Sequence, residues 1–394
     1  MTLRLHDFLR GIRVLDLSRH LPGPLATLLL ADMGAEVLKV ESPEGDELRR
    51  IGPKGPSGHS LFYDAVNAGK RSMRIDLKSA DGKAALLELV REVDIVVESF
   101  RPGVMQRLGF GVDALRAANP RLVHVALSGY GQEGPYSRSA GHDANYLARN
   151  GTLHASGAAD RMAYIYPPIA DCTGSMFAVV SILGALLARS REGAGCEIDV
   201  ALADVTMPFQ LFGLAELGAT GRIPAAETEL LNGGWACYRP YRTRDGRQVT
   251  LGAVEPKFWS AFCRASSRPD WVARHGEPLP QAALIREVEA HFAGLSLAEC
   301  LARYDDADCC FAPVLDLKQA VLSDRVRERG LVRRHPRMPI YEAAFPVLVN
   351  GMRPQPRVLL DEGGPASTPQ RLKGDPAWSS RPRGRRQSRR KAQP

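Results

Sequence analysis

Residues 11–41 read GIRVLDLSRHLPGPLATLLLADMGAEVLKVE. Residues 12–17 (IRVLDL) are aliphatic and β-branched, a strand pattern that Gly23-Pro24 turns. Residues 25–33 (LATLLLADM) predict an apolar helix, with Gly34 as its stop. Residues 36–41 (EVLKVE) predict a second strand. Strand, helix and strand within about thirty residues make a βαβ unit with a parallel pair. No G-x-G-x-x-G follows the first strand and no G-x-x-x-x-G-K-[ST] occurs, which argues against a dinucleotide or P-loop nucleotide cofactor.

The alternation continues downstream. Residues 44–58 are rich in Gly and Pro and predict a loop. Residues 67–78 (NAGKRSMRIDLK) predict a turn and an alternating basic strand, and residues 80–92 an amphipathic helix. Residues 94–98 (DIVVE) predict a buried strand. Arg101-Pro102-Gly103 opens a helix that carries Arg107, and residues 122–127 (LVHVAL) predict the next strand. The pattern predicts an α/β fold with a doubly wound, Rossmann-like parallel sheet. Residues 196–201 add a strand, followed by a long helix through Leu217. A chain of 394 residues predicts two domains. Residues 1–218 form the large domain, to which 326–360 return, and 219–232 form a linker. Residues 233–325 form a smaller α+β domain, with a hairpin around Asp245-Gly246-Arg247 and helices at 256–265, 281–293 and 297–304. Residues 317–327 are helical and lead back, and residues 361–394 are read as a disordered basic tail.

The formal net charge of +8 is confined to that tail, where residues 371–394 carry nine Lys/Arg and one acid. The body is neutral, so nucleic acid is not expected as a partner. The seven cysteines are odd in number and form no C-x-x-C, which predicts reduced thiols and neither a disulfide frame nor a zinc site. The apolar run at 175–188 is short for a bilayer span and is read as a buried helix, so no membrane partner is expected. The first residues carry no apolar leader with a cleavage site, and the expected location is cytoplasmic.

Candidate chemistry concentrates in residues 128–176. His142-Asp143 is followed by Asp171 in Ile169-Ala170-Asp171-Cys172-Thr173-Gly174. A histidine and a carboxylate that converge can move a proton at neutral pH. Each also has a purely structural reading. Asp171 can cap a helix starting near Thr173-Gly174, and His142 can cap one starting near Asp143. A helix N-terminus after Asp171 would offer N–H donors to an oxyanion, while its dipole would favour an ionised carboxylate there. Glu255 is a candidate orienting carboxylate for an imidazole, or simply a first-turn acid of the helix that follows. Lys70, Arg71, Arg74, Lys78, Arg101 and Arg107 make either a solvated face or an anion cradle.

GIRVLDLSRHLPGPLATLLLADMGAEVLKVESPEGD, NAGKRSMRIDLKSADGK and VESFRPGVMQRLGFG resemble the family III CoA-transferases over residues 11–330. SGYGQEGPYSRSAGHDANYLA and YRPYRTRDGRQVTLGAVEPKFW resemble the α-methylacyl-CoA racemase branch. The resemblance implies His142 and Asp171 as an acid/base pair and Glu255 as the partner of His142. It implies Arg19, Leu21, Lys39, Leu77, Lys78, Phe100 and Arg107 as the residues that hold CoA. It further implies an interlocked homodimer acting on an acyl-CoA thioester, with no metal or redox cofactor, coenzyme A being part of the substrate. In formyl-CoA transferase-like members the first position lacks His and the matching Asp is a nucleophile. Two activities are thus expected: racemisation of a 2-methylacyl-CoA, or CoA transfer through an anhydride at Asp171. A CoA-thioester-binding protein without turnover is a third.

Overall fold

A computed structural model describes residues 2–362 apart from residues 57 and 159. The strands are β1 (Arg13–Asp16), β2 (Glu36–Glu41), β3 (Arg71–Arg74), β4 (Ile95–Glu98), β5 (Val123–Ser128), β6 (Cys196–Ala201), β7 (Tyr238–Arg242), β8 (Gln248–Gly252), β9 (Phe311–Pro313), β10 (Val332–Arg334), β11 (Tyr341–Ala343) and β12 (Asp361–Glu362). The helices are α1 (Pro22–Asp32), α2 (Leu61–Asn67), α3 (Ala80–Glu92), α4 (Val104–Leu108), α5 (Val112–Ala118), α6 (Asp143–Arg149), α7 (Ile169–Glu192), α8 (Leu211–Thr220), α9 (Pro256–Ala265), α10 (Ala282–Ala293), α11 (Leu297–Tyr304), α12 (Leu317–Leu322) and α13 (Asp324–Arg329).

The main sheet runs β12-β3-β2-β1-β4-β5-β6 and every pair in it is parallel. Alternation along β1 sends Leu15 to one face and Val14 and Asp16 to the other. Leu15 joins a core with Leu86, Leu89 and Val90 of α3, whose spacing puts them on one helical face. Each such fully buried aliphatic side chain contributes about 2 kcal/mol. Ser79 starts α3 by accepting the Gly82 N–H at 3.0 Å. A Cβ on Gly82 would lie 1.9 Å from the Asp76 carbonyl oxygen, so that approach requires glycine. On the other face, Asp16 accepts from Thr27 Oγ1 of α1 at 2.6 Å. The sheet is therefore wound on both sides.

The chain divides into two compact units. One comprises residues 1–140, 171–205 and those from 330 on; the other comprises 141–170 and 206–329. The expected boundaries move accordingly. Residues 141–170 and 206–218 leave the large domain, because side chains tie them together. Gln210 Nε2 donates to the Asn150 carbonyl at 2.7 Å, and Asn150 donates to Thr206 Oγ1. The expected linker is also structured. α8 runs to Thr220, and Asn232 Nδ2 donates to the carbonyls of Ala225 (2.6 Å) and Ala155 (3.1 Å). The expected long helix through Leu217 is shorter, since the chain passes through a 3-10 turn at Met207–Phe209 before α8. In this second unit β7, β8 and β9 form an antiparallel sheet. Gly246 makes the hairpin turn at φ +74°. Its core is aromatic, built on Trp259, Phe262, Trp271, Phe292 and Tyr304.

Two further expectations change. Residues 361–362, expected in the disordered tail, pair with β3 as a strand; the rest of the expected tail, residues 363–394, lies outside the described residues. The apolar run at 175–188 is the middle of α7, a 24-residue helix that is buried on one side only. Ala178, Val179 and Ile182 are buried, whereas Val180 is 60% exposed. By length and composition α7 could cross a bilayer. Its polar anchors attach it to the sheet unit instead. Ser175 Oγ donates to the Pro22 carbonyl at 2.7 Å, and Arg189 pairs with Asp94 at 3.0 Å.

Candidate active site

In a sheet of this order the crossovers leave β1 and β4 in opposite directions, which opens a crevice at their carboxyl ends. Here that crevice is a cleft of about 710 Å³. The Arg19 N–H donates to Ser99 Oγ at 2.9 Å, which joins the segments that follow β1 and β4. Its guanidinium lies over the Phe100 ring, 5.5 Å from the centroid. Of the seven residues expected to hold CoA, Arg19, Lys39, Leu77, Lys78 and Phe100 line this cleft. Leu21 is the residue just before α1. Arg107 sits on α4 and lines a separate depression with Gln132 and Arg138.

Lys39, which the resemblance placed among the CoA residues, directs its ammonium to partners within the protein. It is fully buried, donates to the Ser18 carbonyl at 2.9 Å and forms an ion pair with Asp46 at 3.1 Å. Lys70 is likewise structural. Its ammonium bonds Asp16 Oδ2 at 3.1 Å, the Pro24 carbonyl at 2.9 Å and Asn67 Oδ1 at 2.9 Å. Burial pulls the Lys70 ammonium down to about 8, with Asp16 opposing. Burial would raise Asp16, but Lys70 and Lys39 outweigh it and hold the carboxyl well below the usual range. Arg71 pairs with Asp361 at 3.6 Å, and Arg74 donates to the Pro43 carbonyl at 3.3 Å. Of the basic group expected as an anion cradle, Lys78 lines the cleft.

The segment read as a plain loop supplies a wall of the cleft and one cation that the sequence reading missed, Arg50. That wall is rigidly held. Glu41 Oε2 accepts from the Asp46 N–H and from Arg49 Nε, both at 2.8 Å. Arg49 also bonds Tyr63 Oη at 2.8 Å, and Tyr63 donates to Glu41. Burial would raise the Glu41 carboxyl, but the Arg49 and Tyr63 hydrogen bonds dominate and bring it to about 2. Glu98, also missed, ends β4 and is 4% exposed. Its Oε2 accepts the Phe100 N–H at 2.6 Å, which fixes the ring that lines the cleft. Burial, and secondarily Asp199 and Glu197, push its carboxyl up to about 7 against that hydrogen bond. An acid ending an otherwise aliphatic strand was the signal for it.

The acid/base candidates occupy helix starts. His142 is exposed and stands at the N-cap position of α6, where its backbone N–H donates to Asn145 Oδ1 at 3.0 Å. Asp171 does not cap a helix beginning at residue 173. α7 begins at Ile169, right after Pro167-Pro168, so Asp171 is a first-turn acid, partly buried. Its carbonyl accepts from Ser175 Oγ at 2.9 Å. Asp143, beside His142, accepts the N–H of Ala170, beside Asp171, at 2.7 Å. Glu255 is exposed at the N-cap position of α9. Among the described residues Glu255 and His142 form no ion pair with each other.

At the carboxyl edge of the main sheet the cleft is thus lined by the cations Arg19, Arg50 and Lys78. An acyl-CoA transferase of Fusarium pseudograminearum is 33% identical over 357 residues, 82% of this chain and 74% of that protein. The α-methylacyl-CoA racemase of Homo sapiens is 32% identical over 353 residues, 87% of each chain. The crystal structure of a CAIB/BAIF family protein from Brucella suis matches with a TM-score of 0.80 at 25% identity, over 93% of this chain and 99% of that one. A model of CoA-transferase family III matches residues 9–360, from before β1 almost to β12. The chain belongs to CoA-transferase family III.

Proposed function

We propose that the protein is a racemase of 2-methylacyl-CoA thioesters that uses His142 and Asp171 as its two bases. One observation carries this reading above the others. A histidine heads α6, and the residue after it is hydrogen-bonded to the residue before Asp171. The thioester acidifies its α-hydrogen. One base removes that proton, which leaves an enolate with its charge on the thioester oxygen. The conjugate acid of the other base then delivers a proton to the opposite face of the same carbon. The N–H groups at a helix start would stabilise the enolate oxygen. Arg19, Lys78 and Arg50 would meet the CoA phosphates, and the Phe100 ring the nucleotide. No metal or redox cofactor takes part in this chemistry. The reading includes a cytoplasmic homodimer, in which a second chain would cover exposed apolar residues of α7 such as Val180 and could bring a Glu255 to His142.

The test is incubation of one epimer of a 2-methylacyl-CoA in D2O. Deuterium should enter at the α-carbon as chirality is lost, and His142→Ala should abolish the loss of chirality. No deuteration across several acyl chains would sink the reading.

A second reading has its own support. The Asp171-Cys172-Thr173-Gly174 segment and the Fusarium relative named as a transferase fit CoA transfer, with Asp171 as nucleophile. It predicts ping-pong kinetics, an acyl-enzyme trapped by hydroxylamine, and full activity in His142→Ala.

A further inference from the structure

We infer that Asp143 is a positioning residue that sets the first turn of α7, and so Asp171, by hydrogen bonding from the start of α6. The inference rests on the proposed pairing of His142 with Asp171. The first N–H groups of a helix have no partner inside it and are met by a side chain, by water or by a ligand. α7 is preceded by Pro167-Pro168, and proline carries no side-chain acceptor to cap it. The acceptor comes from elsewhere in the sequence. Asp143 Oδ1 takes the Ala170 N–H at 2.7 Å, across 27 residues. Ala170 is fully buried and Asp143 partly so, which removes competing water from the contact.

The geometry gives this bond a role beyond capping. Asp143 is the first residue of α6 and follows His142, whose own N–H is pinned by Asn145. Ala170 is the second residue of α7, and Asp171 completes the same turn. Asp143 need not touch the substrate to matter. A displacement of about 1 Å of a catalytic group costs on the order of 100-fold in turnover.

The experiment compares wild type, Asp143→Ala and Asp143→Asn as the full chain. Hydrogen–deuterium exchange reads the Ala170 amide, and α-deuteration of a 2-methylacyl-CoA reads turnover. Asp143→Ala should speed exchange in the first turn of α7 and lower kcat about 100-fold, with KM changed less than about threefold. Asp143→Asn keeps a carbonyl oxygen at the acceptor position and should restore kcat to within about fivefold. Unchanged kcat or an unchanged Ala170 amide in Asp143→Ala overturns the inference, as does an Asn variant no better than Ala. If Asp143→Ala does not fold, Asp143→Glu, which shifts the acceptor by one methylene, must show the same kcat loss with CoA binding intact. If wild type exchanges no α-proton, the racemase reading fails separately. The same variants are then ranked by hydroxylamine capture at Asp171, where equal capture in all three overturns the positioning role.

Discussion

Glu98 offers a sharp test of the physics that builds the cleft. The carboxyl is buried and pushed up to about 7 from an ordinary value of 4.5. The folded protein therefore holds a proton that the unfolded chain releases between those values. The stability this confers is complete below pH 4.5 and is lost as pH rises through about 7. A difference of about 2.5 pH units corresponds to about 3 kcal/mol. Glu98→Gln keeps an oxygen to accept the Phe100 N–H and removes the titration. The variant should match wild type near pH 4.5 and exceed it by up to about 3 kcal/mol at pH 8. In a unit of this size that is about 6–12 °C in Tm. Urea titrations at pH 4.5, 6 and 8, reading the midpoint at constant slope, measure the difference. Other groups titrate identically in both proteins and cancel. A Glu98→Gln effect that is the same at all three pH values would refute the reasoning, because it would mean that Glu98 titrates alike in the folded and unfolded chain.

The remaining predictions concern cations and acids at the same edge. Lys70→Met leaves Asp16 buried without its main partner and should cost about 3–5 kcal/mol by urea denaturation. Arg19→Ala should weaken CoA binding about tenfold by calorimetry with little change in Tm, whereas Lys39→Met should lower Tm first, since Lys39 is committed to Ser18 and Asp46. Lowered to about 2 from 4.5, Glu41 contributes stability that is present above pH 4.5 and lost as pH falls toward 2. Arg49→Met should shrink that acid-side loss in a stability–pH profile.

Periodicity carried the sheet into view, because each βαβ crossover is a local pattern of short range. Residues 36–41 and 80–92 are observed as β2 and α3 with the expected bounds. The start of α7 was misplaced because Asp171-Cys172-Thr173-Gly174 imitates a cap, although Pro167-Pro168 is itself a start signal. The domain edges were harder. They depend on contacts such as Asn150 with Thr206, which join residues 56 apart and leave no periodic trace. The CoA residues came from resemblance, and charge alone overstated Lys70 as an anion ligand, since its ammonium is committed to Asp16, Pro24 and Asn67.

Lys39 shows where a stricter reading of the same letters would have gone further. In EVLKVE it lies in the interior of a strand between Leu38 and Val40. A strand of a parallel sheet is covered on both faces, so a cation there cannot reach water and must find a buried partner. β1 and β2 pair in register with Asp16 opposite Lys39. Asp16 is the acid of the first strand of the same βαβ unit, legible in IRVLDL. The register thus brings the Lys39 charge close enough to help hold Asp16 ionised, while the ammonium itself pairs with Asp46 and Asp16 pairs with Lys70. The same logic assigns Glu98 to a buried position, but there no cation lies opposite. It neighbours Asp199 and Glu197, so neutralisation by protonation replaces pairing. One sheet edge thus solves the same desolvation problem in two ways, and the pH dependence of Glu98→Gln set against the ion-pair loss in Lys70→Met tells them apart.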